Sequence, residues 1–185
     1  GLETIEGVDA TLSTHFQPMP VKRNETFVWE GWKFGLVQQV HVMAGSMFMH
    51  SYGLFLQKEN DPEGAHKKVF LTTDCQWYQP KQIEAFYKNA DLIIHDCECT
   101  GCNTKDKSFT GSSGVHSTFA EIAGWESANA RKIPLEYKAK MGLSHYADYV
   151  NHGKDMFEND VDWDALAKSE GIGHGFVKVG QVFEI

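Results

Sequence analysis

The chain has 185 residues, of which 42% are hydrophobic and 23% are charged. This composition is typical of one folded globular domain and excludes global disorder, and no run of about 18 apolar residues offers a membrane span. The 25 acidic residues outnumber the 17 basic ones, giving a formal net charge of −8. Such a chain is poorly suited to broad binding of long nucleic acid, although a metal ion can hold a small phosphate ligand locally.

The first third of the chain is predicted to form β-strands, because its apolar residues alternate with polar ones or cluster with aromatic residues. The predicted strands are residues 10–16, 26–30, 32–42 and 51–57. In the third of these strands, His41 is expected on the same face as Val37 and Gln39. The polar stretch 58–68 is predicted to be a loop.

The pattern then changes to short apolar strands that alternate with amphipathic helices. The predicted strands are residues 69–71, 91–94, 141–144 and 176–185. The predicted helices are residues 79–90, 164–169 and a segment that runs from the capping box Thr118-x-x-Glu121 to about residue 130. A Gly/Ser-rich loop is expected at 100–114. This order indicates an α/β sandwich in which polar residues emerge from the strand ends.

Five polar side chains stand at the ends of these elements. Asp74, Asp96 and His145 each follow a buried strand, His116 precedes the capped helix, and His41 lies near the end of the long strand. Imidazole and carboxylate together suit zinc, manganese or iron. A single aspartate at a strand end usually caps a turn, and a single histidine there is often structural, so the functional interpretation depends on the coincidence of all five.

Between Gln38 and Tyr146 the chain resembles the C-terminal half of metallo-β-lactamase-fold phosphodiesterases. This group includes ribonuclease Z and related cyclic-nucleotide phosphodiesterases. The matching stretches are Val40-His41 with Ser51-Tyr52-Gly53-Leu54-Phe55, Phe70-Leu71-Thr72-Thr73-Asp74, Ala90-Asp91-Leu92-Ile93-Ile94-His95-Asp96, Val115-His116-Ser117-Thr118-Phe119-Ala120-Glu121 and Gly142-Leu143-Ser144-His145-Tyr146. The resemblance implies an α/β fold, a metallo-β-lactamase-like αββα sandwich that forms a single domain over residues 1–185 and lacks its N-terminal portion.

The resemblance also implies a role for each of the five side chains. His41 would be a terminal ligand of one metal ion, Asp74 would bridge two ions, and His145 would be a terminal ligand of the second. Two divalent ions, zinc or manganese, would lower the pKa of a bridging water and polarise the phosphoryl group that it attacks. His116 would protonate the leaving oxygen or stabilise charge on the phosphate, and Asp96 would hold the His116 imidazole in its productive tautomer.

The chain departs from the ribonuclease Z pattern in ways that bear on the substrate. Ribonuclease Z usually shows Ser-Gly-Asp-Thr where this chain has residues 72–75, and His-Glu-Ala where it has residues 95–97. The segment after His145 lacks the usual Ser and Arg, and a short loop replaces the arm that would grip tRNA. A small, cyclic nucleotide is therefore the expected substrate, and cleavage at RNA 3′ ends is the alternative.

The principal metal motif of the family, His-x-His-x-Asp-His, occurs nowhere in this sequence. The chain is therefore expected to begin partway through a longer protein or to be a degenerate member of the family, and its activity on its own stays open. A non-catalytic module that binds a nucleotide is accordingly a third interpretation. Members of this kind commonly dimerise, so a homodimer is expected, with no membrane partner.

The four cysteines leave two interpretations open. Cys97-x-Cys99-x-x-Cys102, with Cys75 nearby, is either a structural zinc site or a group of free thiols. Without a visible secretory signal, a cytoplasmic location is expected. The aromatic residues Trp29, Trp32 and Phe34 are expected in the core or at a subunit interface.

Overall fold

The computed structural model describes residues 17, 19–22, 25–44, 47–62, 64–76, 81–111, 113–125, 128 and 133–184. The predicted strand at 10–16 lies outside these residues. In the part of the chain that is described, no helix is long and apolar enough to cross a membrane.

The described residues form eight strands and five helices. The strands are β1 (Thr26–Trp29), β2 (Trp32–Ala44), β3 (Met47–Lys58), β4 (Val69–Leu71), β5 (Leu92–Asp96), β6 (Cys102–Asn103), β7 (Ser108–Phe109) and β8 (Met141–Ser144). The helices are α1 (Lys81–Asn89), α2 (Phe119–Ala123), α3 (Leu135–Lys138), α4 (Asp148–Asn151) and α5 (Trp163–Ser169).

One six-stranded sheet organises the fold, with its strands in the order β1-β2-β3-β4-β5-β8. The strands β1 to β4 are antiparallel neighbours, whereas β4, β5 and β8 run parallel. Strands β6 and β7 form a separate two-stranded hairpin inside the predicted loop. Because parallel strands end at the same edge of a sheet, the residues that follow β4, β5 and β8 are brought together.

The hydrophobic core lies on the face of the sheet that is covered by α1. Phe70, Ile93 and Leu143, from the three parallel strands β4, β5 and β8, belong to this core and are fully buried. Tyr87 of α1 meets the Phe70 ring edge-on, with ring centroids 5.2 Å apart. Close approach of β3 to the end of β4 requires glycine at Gly53, because a Cβ atom there would lie 2.7 Å from the backbone oxygen of Leu71.

Two sequence predictions are wrong in detail. The capping box at Thr118 is present, but the helix it opens ends at Ala123, because Gly124 adopts φ 85° and its N–H closes the helix on Ala120. The predicted strand at 176–185 is, over its described residues 176–184, reduced to one bridge between Phe176 and Leu143. Of the two places predicted for Trp29, the core does not apply because this residue is 63% exposed, and a subunit interface stays a prediction.

A buried carboxylate holds the loop that follows α4. Asp155 is fully buried and accepts hydrogen bonds from the backbone N–H groups of Phe157, Asn159 and Thr104 and from the side chains of the last two. Burial by itself raises the pKa of Asp155, but the hydrogen bonds from Asn159 and Thr104 outweigh it and bring the pKa down to about 2. The carboxylate form is therefore part of the folded structure.

We expect Asp155→Asn to lower the free energy of unfolding at pH 7 by about 2.5 kcal/mol, because the pKa falls from 3.8 to about 2 on folding and each unit corresponds to about 1.4 kcal/mol. The folded pKa lies below the ordinary value, so this stabilisation is complete above about pH 4 and disappears as the pH falls towards 2. Urea unfolding of both proteins between pH 2 and 7 measures the difference. Asp160→Asn, which alters a carboxylate that is 92% exposed, is the control. A difference that stays constant over this pH range would contradict the prediction.

Candidate active site

All five side chains predicted to bear chemistry lie together at one edge of the sheet. Asp74 comes three residues after the end of β4, Asp96 is the last residue of β5, and His145 directly follows β8. His145 Nδ1 lies 2.9 Å from Asp74 Oδ1 and 3.4 Å from Asp96 Oδ1. The His116 ring lies 4.5 Å from the His145 ring and 5.4 Å from the His41 ring, measured between centroids.

A β-bulge places His41 at this site. Val40 is paired with His50 and Val42 with Met49, so His41 is an extra residue without a partner in β3. A bulge of this kind turns its side chain away from the regular alternation of the strand. His41 Nδ1 lies 3.0 Å from the backbone oxygen of Val115, which can only accept a hydrogen bond. Nδ1 therefore bears the proton, and the lone pair of Nε2 is left to bind a metal ion.

Asp96 and His116 form an oriented acid–imidazole pair. The Asp96 carboxylate is buried, and its Oδ2 accepts hydrogen bonds from His116 Nδ1 at 2.8 Å and from the Cys75 N–H at 2.7 Å. The His116 side chain is 18% exposed, so the imidazole meets solvent while its partner does not. With Nδ1 committed to Asp96, Nε2 is the atom that can exchange a proton with a bound molecule.

Strained backbone lies on both sides of these side chains. Thr73 and His145 adopt φ values of 55° and 64°, in the left-handed region that costs a β-branched residue most. The Thr73 hydroxyl donates to the backbone oxygen of Tyr52 at 3.0 Å. The neighbouring Thr72 hydroxyl accepts from the Asp96 N–H at 3.0 Å, which ties the end of β4 to the end of β5. These bonds hold Asp74 and Asp96 in fixed relative positions.

The donor set fits a divalent metal ion. The residues whose ligand atoms converge are Asp96, His116 and His145, with all three atoms within 4.8 Å of one another. Of the predicted ligands His41, Asp74 and His145, only His145 belongs to this group, whereas Asp96 and His116 are the residues predicted to position and donate a proton. Asp96 Oδ1 is buried and has no hydrogen-bond partner among the described residues, although His145 Nδ1 faces it. A buried carboxylate oxygen without a donor is well suited to a cation. Imidazole with carboxylate is the chemistry of zinc and manganese sites.

The cysteines do not form a second metal site in the described part of the chain. All four are buried, free thiols, and none belongs to a group whose ligand atoms converge. Burial raises the pKa of Cys75 to about 12 and that of Cys97 well above its ordinary value. Cys75 and Cys97 are therefore protonated thiols in the core, which favours the second of the two interpretations.

Gln76 is a polar residue that contacts two of the segments at this site and that no sequence pattern indicates. Its side chain donates to the backbone oxygen of His41 at 2.8 Å and also to that of Gly114. A glutamine that follows a predicted ligand by two positions is a weak signal, because its partners are backbone atoms that only the folded structure brings near.

Comparison with protein families and known structures supports the predicted fold. The family described as Anti-Pycsar protein Apyc1 matches residues 1–162. The crystal structure of the metallo-β-lactamase-fold protein YhfI from Bacillus subtilis is similar, with a TM-score of 0.52 and 19% identity over 94% of this chain and 58% of that one. No curated protein matches the chain. The similarity to YhfI confirms the metallo-β-lactamase fold.

Two further structures are similar at lower scores. Unliganded yeast PDE1 has a TM-score of 0.47 and 9% identity over 84% of this chain and 46% of that one. The isothiocyanate hydrolase from Delia radicum gut bacteria has a TM-score of 0.47 and 11% identity over 89% of this chain and 57% of that one. The chain thus spans between 46% and 58% of the length of these three structures.

Proposed function

Because the chain belongs to the family of Anti-Pycsar protein Apyc1, we propose that it is a metal-dependent phosphodiesterase that hydrolyses a small, cyclic nucleotide. The observation that supports this most is the Asp96–His116 pair, which stands beside Asp74 and His145 at the edge of the sheet. The family acts against cyclic-nucleotide signalling, and the net charge of −8 is unfavourable for a long RNA substrate.

His41, Asp74 and His145 would hold the metal ions, with Asp74 as the bridging carboxylate. His41 supports this assignment because its hydrogen bond to Val115 O uses Nδ1 and leaves the lone pair at Nε2, and Asp74 supports it because its Oδ1 already faces the His145 imidazole. Two divalent ions, zinc or manganese, would supply the charge that polarises the phosphoryl group and activates the attacking water.

His116 would donate a proton to the leaving group, and Asp96 would orient the His116 imidazole. In its imidazolium form, His116 donates one N–H to Asp96 Oδ2 and presents the other, at Nε2, to the leaving oxygen. As the phosphorus–oxygen bond of the ring breaks, this proton moves to the departing alkoxide, and the linear nucleotide results. Neutral His116 then regains a proton from solvent, to which its side chain is partly exposed.

The proposal is tested by incubating the purified protein with purine and pyrimidine cyclic nucleotides in the presence of Zn²⁺ or Mn²⁺. We expect one linear nucleoside monophosphate per molecule hydrolysed, separated by liquid chromatography. Chelator-treated protein is the control for a metal requirement. Tight nucleotide binding without product would contradict the proposal and favour the non-catalytic module, whereas cleavage of a precursor tRNA alone would favour the RNA endonuclease.

We also propose a homodimer. Three apolar residues of the β1–β2 hairpin, Val28, Trp29 and Trp32, are between 37% and 63% exposed. Apolar surface is therefore present along β1, the strand at the opposite side of the sheet from β8. Light scattering of the purified protein is expected to give twice the mass of 20.8 kDa. A mass of one chain at micromolar concentration would contradict this proposal and leave the assignment of the site unchanged.

A further inference from the structure

Gln76 contacts three backbone carbonyls that belong to two different segments of the site. Its own N–H donates to Val40 O at 2.8 Å, and its side-chain Nε2 donates to His41 O at 2.8 Å and to Gly114 O. Carbonyl oxygens only accept hydrogen bonds, so the nitrogen end of the amide must face them. The orientation of the side chain is thus dictated by its partners.

These contacts lie where the regular ladder is interrupted. Val40 and His41 are the residues at the bulge, and their carbonyls lie where β2 departs from regular pairing with β3. Gly114 lies two residues before His116, in a loop whose Val115 oxygen accepts from His41 Nδ1. The amide of Gln76 therefore closes a set of hydrogen bonds that joins the bulge to the loop that bears His116.

We infer that Gln76 is a positioning residue that fixes His41 relative to His116. This inference rests on the proposed function, in which one imidazole binds metal and the other donates a proton. The Gln76 amide supplies two N–H donors without a charge, which matches two neighbouring carbonyls. A glutamate at position 76 would have the same shape but would supply no N–H donor. A methionine of similar length would remove both donors without adding a charge.

The test compares Gln76→Met with Lys140→Met. Lys140 is a matched control because its Nζ also donates to two backbone carbonyls, those of Lys88 and Ala90 at 3.0 and 2.9 Å, at the opposite end of β5. Both variants are expected to lower the melting temperature by a similar amount. Only Gln76→Met should weaken Zn²⁺ binding and lower kcat, each by roughly 10–100-fold, with KM nearly unchanged.

Hydrogen exchange of the backbone amides at 113–117 gives a readout that does not depend on activity. We expect faster exchange in Gln76→Met and in the isosteric Gln76→Glu, whose carboxylate would face two carbonyl oxygens, and no change in Lys140→Met. If Gln76→Met matches Lys140→Met in exchange, Zn²⁺ affinity and kcat, the inference is overturned. If the unmodified protein hydrolyses no phosphodiester, the proposed function fails, while hydrogen exchange and Zn²⁺ affinity still decide the role of Gln76.

Discussion

Replacing His116 with alanine is expected to lower kcat for a cyclic nucleotide by roughly 10²–10⁴-fold, the usual loss on removal of a general acid. The alkoxide that leaves a nucleotide ring is a poor leaving group, so it depends on the proton at His116 Nε2. The Asp96 carboxylate fixes this imidazole from the other side through Nδ1 at 2.8 Å. Steady-state kinetics with a cyclic nucleotide measure the loss.

Two comparisons make this prediction specific. A substrate with a p-nitrophenolate leaving group needs no proton and should lose much less of its rate. His152→Ala is the control variant, because His152 also lies near a carboxylate, Asp148 at 3.7 Å, but both of these side chains are largely exposed, at 69% and 82%. Full turnover of the cyclic nucleotide by His116→Ala would exclude His116 as the proton donor.

Replacing Asp74 with asparagine is expected to weaken metal binding by at least about 100-fold, more than the loss of an outer positioning group causes. Asparagine keeps the shape of the side chain but removes the negative charge that a bridging ligand needs. Asp74 Oδ1 lies 2.9 Å from His145 Nδ1, so the two side chains already face one another. Elemental analysis after dialysis against buffers of known free Zn²⁺ measures the change.

A matched control for Asp74 exists in the loop before β4. Asp61 also lies close to an imidazole, His66 Nδ1 at 3.1 Å, and accepts two backbone N–H groups. Asp61→Asn should leave the metal content unchanged. Equal metal content in Asp74→Asn and in the unmodified protein would remove Asp74 from the ligand set, and activity lost without loss of metal would point to a role in catalysis instead.

The residues that lie at the ends of the parallel strands could be predicted from the sequence, because short apolar strands are followed directly by polar residues. Strand β5 and strand β8 end within two residues of their predicted ends, and this brings Asp96 and His145 together. Neighbouring parallel strands are joined by backbone hydrogen bonds whatever their side chains are. The adjacency of β5 and β8 is therefore enough to place Asp96 beside His145. This part of the site depends on local patterns.

The positions of His41 and Gln76 depend on contacts between distant segments, which no local pattern reveals. The alternation of the sequence predicts His41 in a regular strand, whereas the bulge is determined by the register between β2 and β3. Gln76 went unnoticed for a related reason, since its partners are carbonyls 35 and 38 residues away. The end of helix α2 is a different case, because it is a local feature. The sequence predicts that the helix continues past Gly124, whereas the left-handed φ of this glycine ends it.

The bulge also has an evolutionary consequence. His41 is the extra residue of β2, so deleting its one codon would give β2 and β3 equal numbers of residues and a continuous ladder while removing the imidazole. A folded descendant without this ligand is thus a single mutational step away, whereas regaining it requires an insertion of histidine at the same point. A substitution of His41 also removes the ligand but keeps the extra residue, so the length of β2 distinguishes the two routes by which the ligand is lost.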